Sequence, residues 1–202
     1  MQIIKSQSCT EVVVLDFETT GLSSAYDRVI EVGALLVRDH KVIDEFVELM
    51  NPGVMLSSFI TSLTGISNAM LKDKPKPEHV MPKLLSFIDE RPIIAHNATF
   101  DKGFFLAELS RANLSSKNHF LCTLRLARKL IPEARSYKLA DIARHIGIRI
   151  NRTSTHRARG DVEITAKLWK HLHEEVVRCT GIASPGIDLL STVASRGIVK
   201  SK

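Results

Sequence analysis

The chain has 202 residues, and its 44% hydrophobic content is enough to fill the core of one domain. No apolar run approaches the roughly 20 residues that span a bilayer, and the first residues lack the pattern of a secretory signal. We therefore expect a cytoplasmic protein with no membrane partner. The three cysteines, Cys9, Cys122 and Cys179, are widely spaced and form no CxxC pair, so they indicate neither a disulfide framework nor a zinc cluster.

The basic charge is concentrated in one segment. The chain has a net charge of +6 and an isoelectric point near 9.3, and residues 123–159 alone hold ten basic against two acidic side chains. The basic residues are Arg125, Arg128, Lys129, Arg135, Lys138, Arg144, Arg149, Arg152, Arg157 and Arg159. A solvated helical surface explains such a run as well as a binding surface does. Its occurrence together with the carboxylates described below favours a polyanion such as nucleic acid.

Three extended runs open the chain. Residues 12–15, 28–37 and 41–50 are apolar and rich in β-branched side chains, and a short polar link, residues 38–40, separates the last two runs. Consecutive strands joined in this way predict an antiparallel meander.

Helices alternate with short strands in the rest of the chain. Apolar spacing predicts helices over residues 57–66, 77–88, 98–113, 123–130, 136–146 and from 158 onward, and buried strands at 92–97 and 120–122. This order predicts an α/β fold with a mixed five-stranded sheet flanked by helices, in which the antiparallel meander of strands 1–3 is followed by parallel strands 4 and 5. Glycines and a proline predict that residues 178–202 form a tail that is weakly ordered or binds a partner.

Four carboxylates follow apolar elements of the chain. Asp16 and Glu18 are two positions apart after the first strand, so they share one face and repel each other unless a cation or proton intervenes. Asp101 lies in the first turn of the helix after strand four, and Asp161 begins the last helix. Ligands in such sheets bind at the carboxyl ends of strands, so we expect the four side chains to meet there. Asp161 alone could equally be a carboxylate stabilised by the helix dipole.

Three motifs carry a resemblance to a known family. The segments DFETTG, HNATFDKGFF and HRARGD occur in this order, and their spacing resembles that of the DEDDh 3′-to-5′ exonucleases. This family includes the proofreading epsilon subunit of DNA polymerase III and RNase T. The similarity extends over roughly residues 10–175, and the histidine five residues before the last aspartate makes the third motif specific.

The resemblance implies a fold, an activity and a set of site residues. It implies a ribonuclease H-like domain over residues 10–177 that hydrolyses the 3′-terminal phosphodiester of DNA or RNA and releases nucleoside 5′-monophosphates. Two divalent ions, Mg²⁺ or Mn²⁺, would be held by carboxylates, which suit hard cations. Asp16 would bridge both ions, Glu18 and Asp161 would complete one site, and Asp101 would serve the second. His156 would be the general base, since an ordinary histidine is mostly neutral at pH 7.

The resemblance also implies substrate contacts in and beyond the first motif. Backbone groups there would meet the terminal 3′-hydroxyl, and an apolar residue would wedge against the last base. The positions are Phe17, Thr19, Gly21, Leu22, Thr64 and Phe100. A core role for Phe100 is equally compatible with its helical spacing to Phe104. We expect His96, in the second motif, to be structural.

Other functions stay open at this point. A non-catalytic nucleic-acid-binding or polymerase-docking module could keep the fold, although such a module would be expected to have lost some acidic residues. An endonuclease of the same fold is disfavoured by the histidine of the third motif. The epsilon subunit's glutamine motif for clamp binding is not visible and the tail is short, so a stand-alone exonuclease that trims DNA or RNA ends is at least as compatible with the sequence as association with a DNA polymerase subunit. DNA and RNA are both possible substrates because they present the same phosphates.

Overall fold

The computed structural model of the protein describes residues 11–150 and 157–198. Its strands are β1 (Glu11–Thr19), β2 (Val29–Arg38), β3 (Lys41–Leu49), β4 (Ile93–Ala95) and β5 (Phe120–Cys122). They form one sheet in the order β3-β2-β1-β4-β5. β2 is antiparallel to β1 and β3, whereas β4 is parallel to β1 and β5. The predicted mixed α/β sheet is therefore confirmed.

Helices cover both faces of the sheet. They are α1 (Ser58–Thr64), α2 (Asn68–Leu71), α3 (Pro77–Ile88), α4 (Ala98–Arg111), α5 (Thr123–Leu130), α6 (Leu139–His145), α7 (Ala158–Thr180) and α8 (Ile187–Arg196). None of these helices within the described ranges is both long enough and apolar enough to cross a membrane.

The alternation of side chains along β1 creates two hydrophobic cores. Val12 and Val14 point to one face and pack with apolar side chains of α5, α7 and α8. Val13 and Leu15 point to the other face and pack with α3 and α4. Because the period of a strand is two, Asp16 and Glu18 continue the first row and lie on the α7 face.

The end of the described chain forms a turn and a packed helix. Residues 178–202 were predicted to form a tail that is weakly ordered or binds a partner; in the structure α7 continues to Thr180 and ends at Gly181, which has a left-handed φ of 71°. After a short turn, α8 buries Leu190 completely and joins the core shared with α5 and α7. Gly181, Pro185 and Gly186 are turn residues between two packed helices, because glycine and proline occur at helix ends as well as in flexible chain.

A close backbone approach seats α7 on β2. A Cβ atom placed on Gly33 would lie 2.6 Å from both the carbonyl carbon and the carbonyl oxygen of Ala158. Gly33 is also the register partner of Asp16 in β1. The missing side chain therefore allows the first turn of α7, which carries Asp161, to lie directly over the part of the sheet that holds Asp16.

The substitution Gly33→Ala should destabilise the protein by roughly 1–3 kcal/mol, the usual range for overpacking, since the new methyl group meets backbone atoms that cannot rotate away. Chemical denaturation measures this change. Gly103→Ala is the control, because its methyl group would meet only the side chain of Ser24, whose hydroxyl oxygen would lie 3.2 Å away, and alanine favours the helix. An unchanged free energy of unfolding for Gly33→Ala would contradict the described seating of α7.

Candidate functional site

Three carboxylates converge where β1 meets the start of α7. One oxygen atom from each of Asp16, Glu18 and Asp161 can be chosen so that all three lie within 4.8 Å of one another. Two side chains come from the same face of β1, and the third comes from the first turn of α7. All three are partly exposed, so the cluster is open to ligands.

A fourth carboxylate reaches the cluster from α4. Asn97, with a left-handed φ of 67°, turns the chain sharply between β4 and α4, and Asp101 follows in the first turn of that helix. Asp101 is only 2% exposed and accepts a hydrogen bond of 3.3 Å from the backbone N–H of Phe17. Residues far apart in sequence are thus brought to the carboxyl end of β1.

Three of the four carboxylates have unusual acidities. Burial, followed by the charges of Asp101 and Asp161, raises the pKa of Asp16 well above its ordinary value. Burial and the charge of Asp161 raise the pKa of Glu18 to about 7, and burial raises the pKa of Asp101 to about 7. Protons or cations must offset this repulsion. Oxygen ligands at this spacing and charge suit a hard divalent cation such as Mg²⁺ or Mn²⁺.

Sequence reasoning missed a fifth carboxylate, that of Glu31. It lies opposite Glu18 in the register of β1 and β2 and is 1% exposed. Its partner is the guanidinium of Arg157, at 2.6 Å. The available signal was a single acidic residue inside an apolar strand, since a buried charge of this kind needs a partner.

His96 connects three segments behind the cluster. Its Nε2 lies 2.9 Å from the carbonyl oxygen of Tyr137, and its Nδ1 lies 2.9 Å from the hydroxyl of Thr123. A carbonyl only accepts, so Nε2 carries a proton. Burial lowers the pKa of His96, which favours the neutral ring. His96 is therefore a structural link between β4, α5 and the chain before α6.

The predicted general base cannot be placed. His156 lies outside the described residues, and the following residue, Arg157, is described.

The predicted substrate positions near the first motif differ in their availability. Leu22 is 88% exposed and free to contact a ligand. The Phe17 side chain is buried in the core shared with α3 and α4. The Thr19 hydroxyl donates to the carbonyl oxygen of Gly21 at 2.6 Å, and a Cβ atom on Gly21 would lie 2.5 Å from the Asp27 carboxylate. Thr19 and Gly21 therefore shape the loop that presents Leu22.

The two remaining substrate positions make contacts within the protein. Thr64 is buried at the end of α1, and its hydroxyl donates to the carbonyl oxygen of Ile60 at 2.9 Å. The half-buried ring of Phe100 lies 4.8 Å from that of Phe104. Phe100 packs against the core shared with α3 and α4, and its contact with the substrate stays a prediction.

A basic groove lies beside the carboxylates at the same edge of the sheet. This cavity of about 440 Å³ is lined by His96, Asn97, Leu124, Arg128, Arg135, Ser136, Tyr137 and Lys138. Arg128 stacks over the ring of Tyr137 at 5.8 Å. Within the described ranges, its three cationic residues form no ion pair with a carboxylate, so their charge is available to an anion.

Comparison with known proteins identifies the family. Residues 13–169 match the model of the family described as Exonuclease. The PolC-type DNA polymerase III of Caldanaerobacter subterraneus is 39% identical over 166 residues, which cover 82% of this chain and 12% of the relative. The PolC-type enzyme of Clostridium perfringens is 38% identical over 160 residues, covering 79% and 11%. The chain thus spans about a tenth of the length of these relatives.

Solved structures agree with this assignment. Exonuclease X in complex with 5′ overhanging duplex DNA has a TM-score of 0.67 and 26% identity, and the alignment covers 89% of this chain and 99% of that one. Escherichia coli exonuclease I in complex with a dT13 oligonucleotide has a TM-score of 0.73 at 20% identity, covering 85% and 43%, and so supports the fold alone. Together with the three motifs, these matches show that the chain belongs to the exonuclease family, in its DEDDh division.

Proposed function

We propose that the protein is a metal-dependent 3′-to-5′ exonuclease that hydrolyses the 3′-terminal phosphodiester of a nucleic acid and releases nucleoside 5′-monophosphates. The observation that carries this proposal is the convergence of Asp16, Glu18 and Asp161 within 4.8 Å, with Asp101 hydrogen-bonded to the same strand. DNA is the favoured substrate, because exonuclease X was solved with DNA and the matched relatives are DNA polymerases.

The four carboxylates would hold two divalent ions. Asp16 would be the central ligand, since the charges of Asp101, Asp161 and Glu18 all raise its pKa. Bound ions of this kind supply charge stabilisation for the reacting phosphate and lower the pKa of water. Holding the ions also relieves the repulsion among the carboxylates, so binding and charge neutralisation favour each other.

The chain's other residues would position the substrate and move the proton. His156 is the proposed general base that takes a proton from the attacking water, because it precedes Asp161 by five residues in the third motif. Leu22, exposed at the end of the first motif, would pack against the terminal base. These contacts would hold the last phosphodiester at the carboxylates.

The basic groove would bind phosphates of the strand beyond the terminal nucleotide. His96 and Asn97 follow β4, which is parallel to β1 with Val14 opposite Ile94, so they lie level with Asp16. One strand spacing, about 5 Å, separates β4 from β1. The groove is therefore within reach of the phosphates next to the scissile one.

A DNA polymerase is the proposed protein partner, because the PolC-type relatives match this chain over only 12% and 11% of their length. The alternative of a non-catalytic docking module is disfavoured by the presence of all four carboxylates. A cytoplasmic location, where such polymerases have their substrate in bacteria, completes the proposal.

A 5′-labelled single-stranded DNA should be shortened stepwise from its 3′ end in the presence of Mg²⁺ or Mn²⁺. Asp16→Asn should reduce the rate at least about 100-fold, because loss of a ligand removes several kcal/mol of transition-state stabilisation. Gel electrophoresis of the labelled products measures the rate, and chromatography identifies the released mononucleotides.

Two control substrates and one variant accompany this test. A circular single strand must stay intact, and a matched RNA strand decides between the two nucleic acids. His156→Ala should slow turnover by roughly 10²–10⁴-fold while leaving Mn²⁺ binding in place. A wild-type protein that produces no shortened products would contradict the proposal, and cleavage of the circle would identify an endonuclease.

Glu18→Gln should change how the stability of the metal-free protein depends on pH. The pKa of Glu18 is about 7 in the folded protein against an ordinary value of 4.5, so the folded state holds the extra proton between these values. The contribution of Glu18 to the free energy of unfolding of the wild type therefore decreases as the pH rises from about 4.5 to 7. The Tm of the variant should exceed that of wild type only slightly at pH 5, and the difference should be largest at pH 8. Thermal denaturation in EDTA measures both values.

Mn²⁺ should reverse this order at pH 8 by stabilising the wild-type protein more than the variant. Glu163→Gln, which removes an exposed carboxylate on α7, is the matched control and should show no such dependence. A difference between Glu18→Gln and wild type that is the same at every pH would contradict the assigned acidity.

Replacing Arg128, Arg135 and Lys138 together by glutamine should raise KM for a long oligonucleotide by roughly tenfold or more and leave kcat nearly unchanged. Loss of three phosphate contacts should also reduce the slope of log affinity against log salt by about 2. Steady-state kinetics at several salt concentrations measure both quantities. Arg178→Gln, near the C-terminal end of α7, removes a single exposed charge that is paired with Glu175 and is the control for loss of charge outside the groove. Equal KM values for the triple variant and wild type would contradict binding in the groove.

A further inference from the structure

Glu31 is a buried charge that the proposed chemistry does not use. It lies on β2 directly opposite Glu18, and its side chain is 1% exposed. A further carboxylate beside a cluster whose members already repel one another is unfavourable. The buried charge of Glu31 therefore requires a partner that offsets it.

The start of α7 supplies the partner. The Nε atom of Arg157 lies 3.1 Å from each Glu31 oxygen, and its Nη2 atom lies 2.6 Å from Oε1. The backbone N–H of Ala158 donates to Oε2 at 2.9 Å. Both oxygens of Glu31 thus bind the first residues of α7, in the two-pronged geometry that arginine provides and lysine does not.

These contacts replace the usual helix cap. Arg157 occupies the N-cap position of α7 and makes no side-chain capping bond to its own helix. The Glu31 carboxylate accepts one of the free N–H groups instead, and a negative charge at a helix N-terminus is favourable. The helix is therefore capped from β2.

The capped turn is the one that carries a cluster carboxylate. The backbone N–H of Asp161 donates to the carbonyl oxygen of Arg157 at 3.1 Å, so these residues belong to one hydrogen-bonded turn. Two residues after Glu31 on the same strand, Gly33 seats the Ala158 backbone. Arg157 also directly follows His156 in the chain.

We infer that Glu31 and Arg157 are positioning residues that fix the first turn of α7 on β2 and so set the place of Asp161 among the metal-binding carboxylates. This inference rests on the proposed metal-dependent function. It predicts that the pair controls affinity for divalent ions although neither side chain needs to contact an ion.

A purely electrostatic role of the pair predicts the opposite change in cation affinity for one variant. Arg157→Gln removes a positive charge near Glu18 and leaves the charge of Glu31 without its partner. If only charge mattered, a cation would bind the variant more tightly. If the pair positions Asp161, the cation binds less tightly because the first turn of α7 is no longer held.

Calorimetric titration of the full chain with Mn²⁺, without nucleic acid, separates these cases. Arg157→Gln should weaken Mn²⁺ affinity at least about tenfold, the usual effect of losing an outer-shell partner. Arg157→Lys should weaken it as well, since an ammonium group cannot bind both oxygens at once. Glu45→Gln, which breaks the exposed ion pair between β3 and Arg159 of α7, is the matched control and should bind Mn²⁺ as wild type does.

Circular dichroism and Tm establish that each variant is folded before titration. Equal or tighter Mn²⁺ binding by folded Arg157→Gln would overturn the inference. If that variant does not fold, Arg157→Lys provides the test. A Mn²⁺ affinity of Arg157→Lys equal to that of wild type would also overturn the inference. Failure of the wild-type chain to bind Mn²⁺ would instead contradict the proposed function, and this inference with it.

Discussion

Mutual repulsion among partly buried carboxylates at the carboxyl end of β1 is the constraint on which the rest of the structure depends. Burial and neighbouring charges raise the pKa of Asp16, Glu18 and Asp101, so the folded chain holds an arrangement that is unfavourable without cations or protons. The two hydrophobic cores on either side of the sheet offset this cost. Divalent cations would relieve the same repulsion, which links the stability of the fold to its proposed chemistry.

Backbone geometry brings the charges together. The period of β1 places Asp16 and Glu18 on one face, and the left-handed Asn97 turns the chain so that Asp101 reaches the same edge. On the neighbouring strand, Gly33 allows α7 to approach and Glu31 caps it. Each device acts on the main chain, so the positions of the carboxylates depend on rigid elements and little on side-chain flexibility.

Local patterns were sufficient to predict much of this arrangement. Runs of β-branched residues located the strands, and the order of antiparallel and helix-linked strands gave the mixed sheet. The carboxylates were recognisable because each follows an apolar element. By contrast, α8 was missed because glycine and proline mark helix ends and flexible chain alike. The contact between Glu31 and Arg157 joins residues 126 positions apart, and no local pattern reports such a pairing.

The central claim is that these four carboxylates hold divalent cations. A crystal structure determined with Mn²⁺, using anomalous scattering to locate the ions, tests it most directly. The account predicts two Mn²⁺ peaks within coordination distance of Asp16, Glu18, Asp101 and Asp161. Anomalous density only at other places on the molecule, or an Asp161 side chain turned away from β1 in the Mn²⁺-soaked crystal, would contradict it.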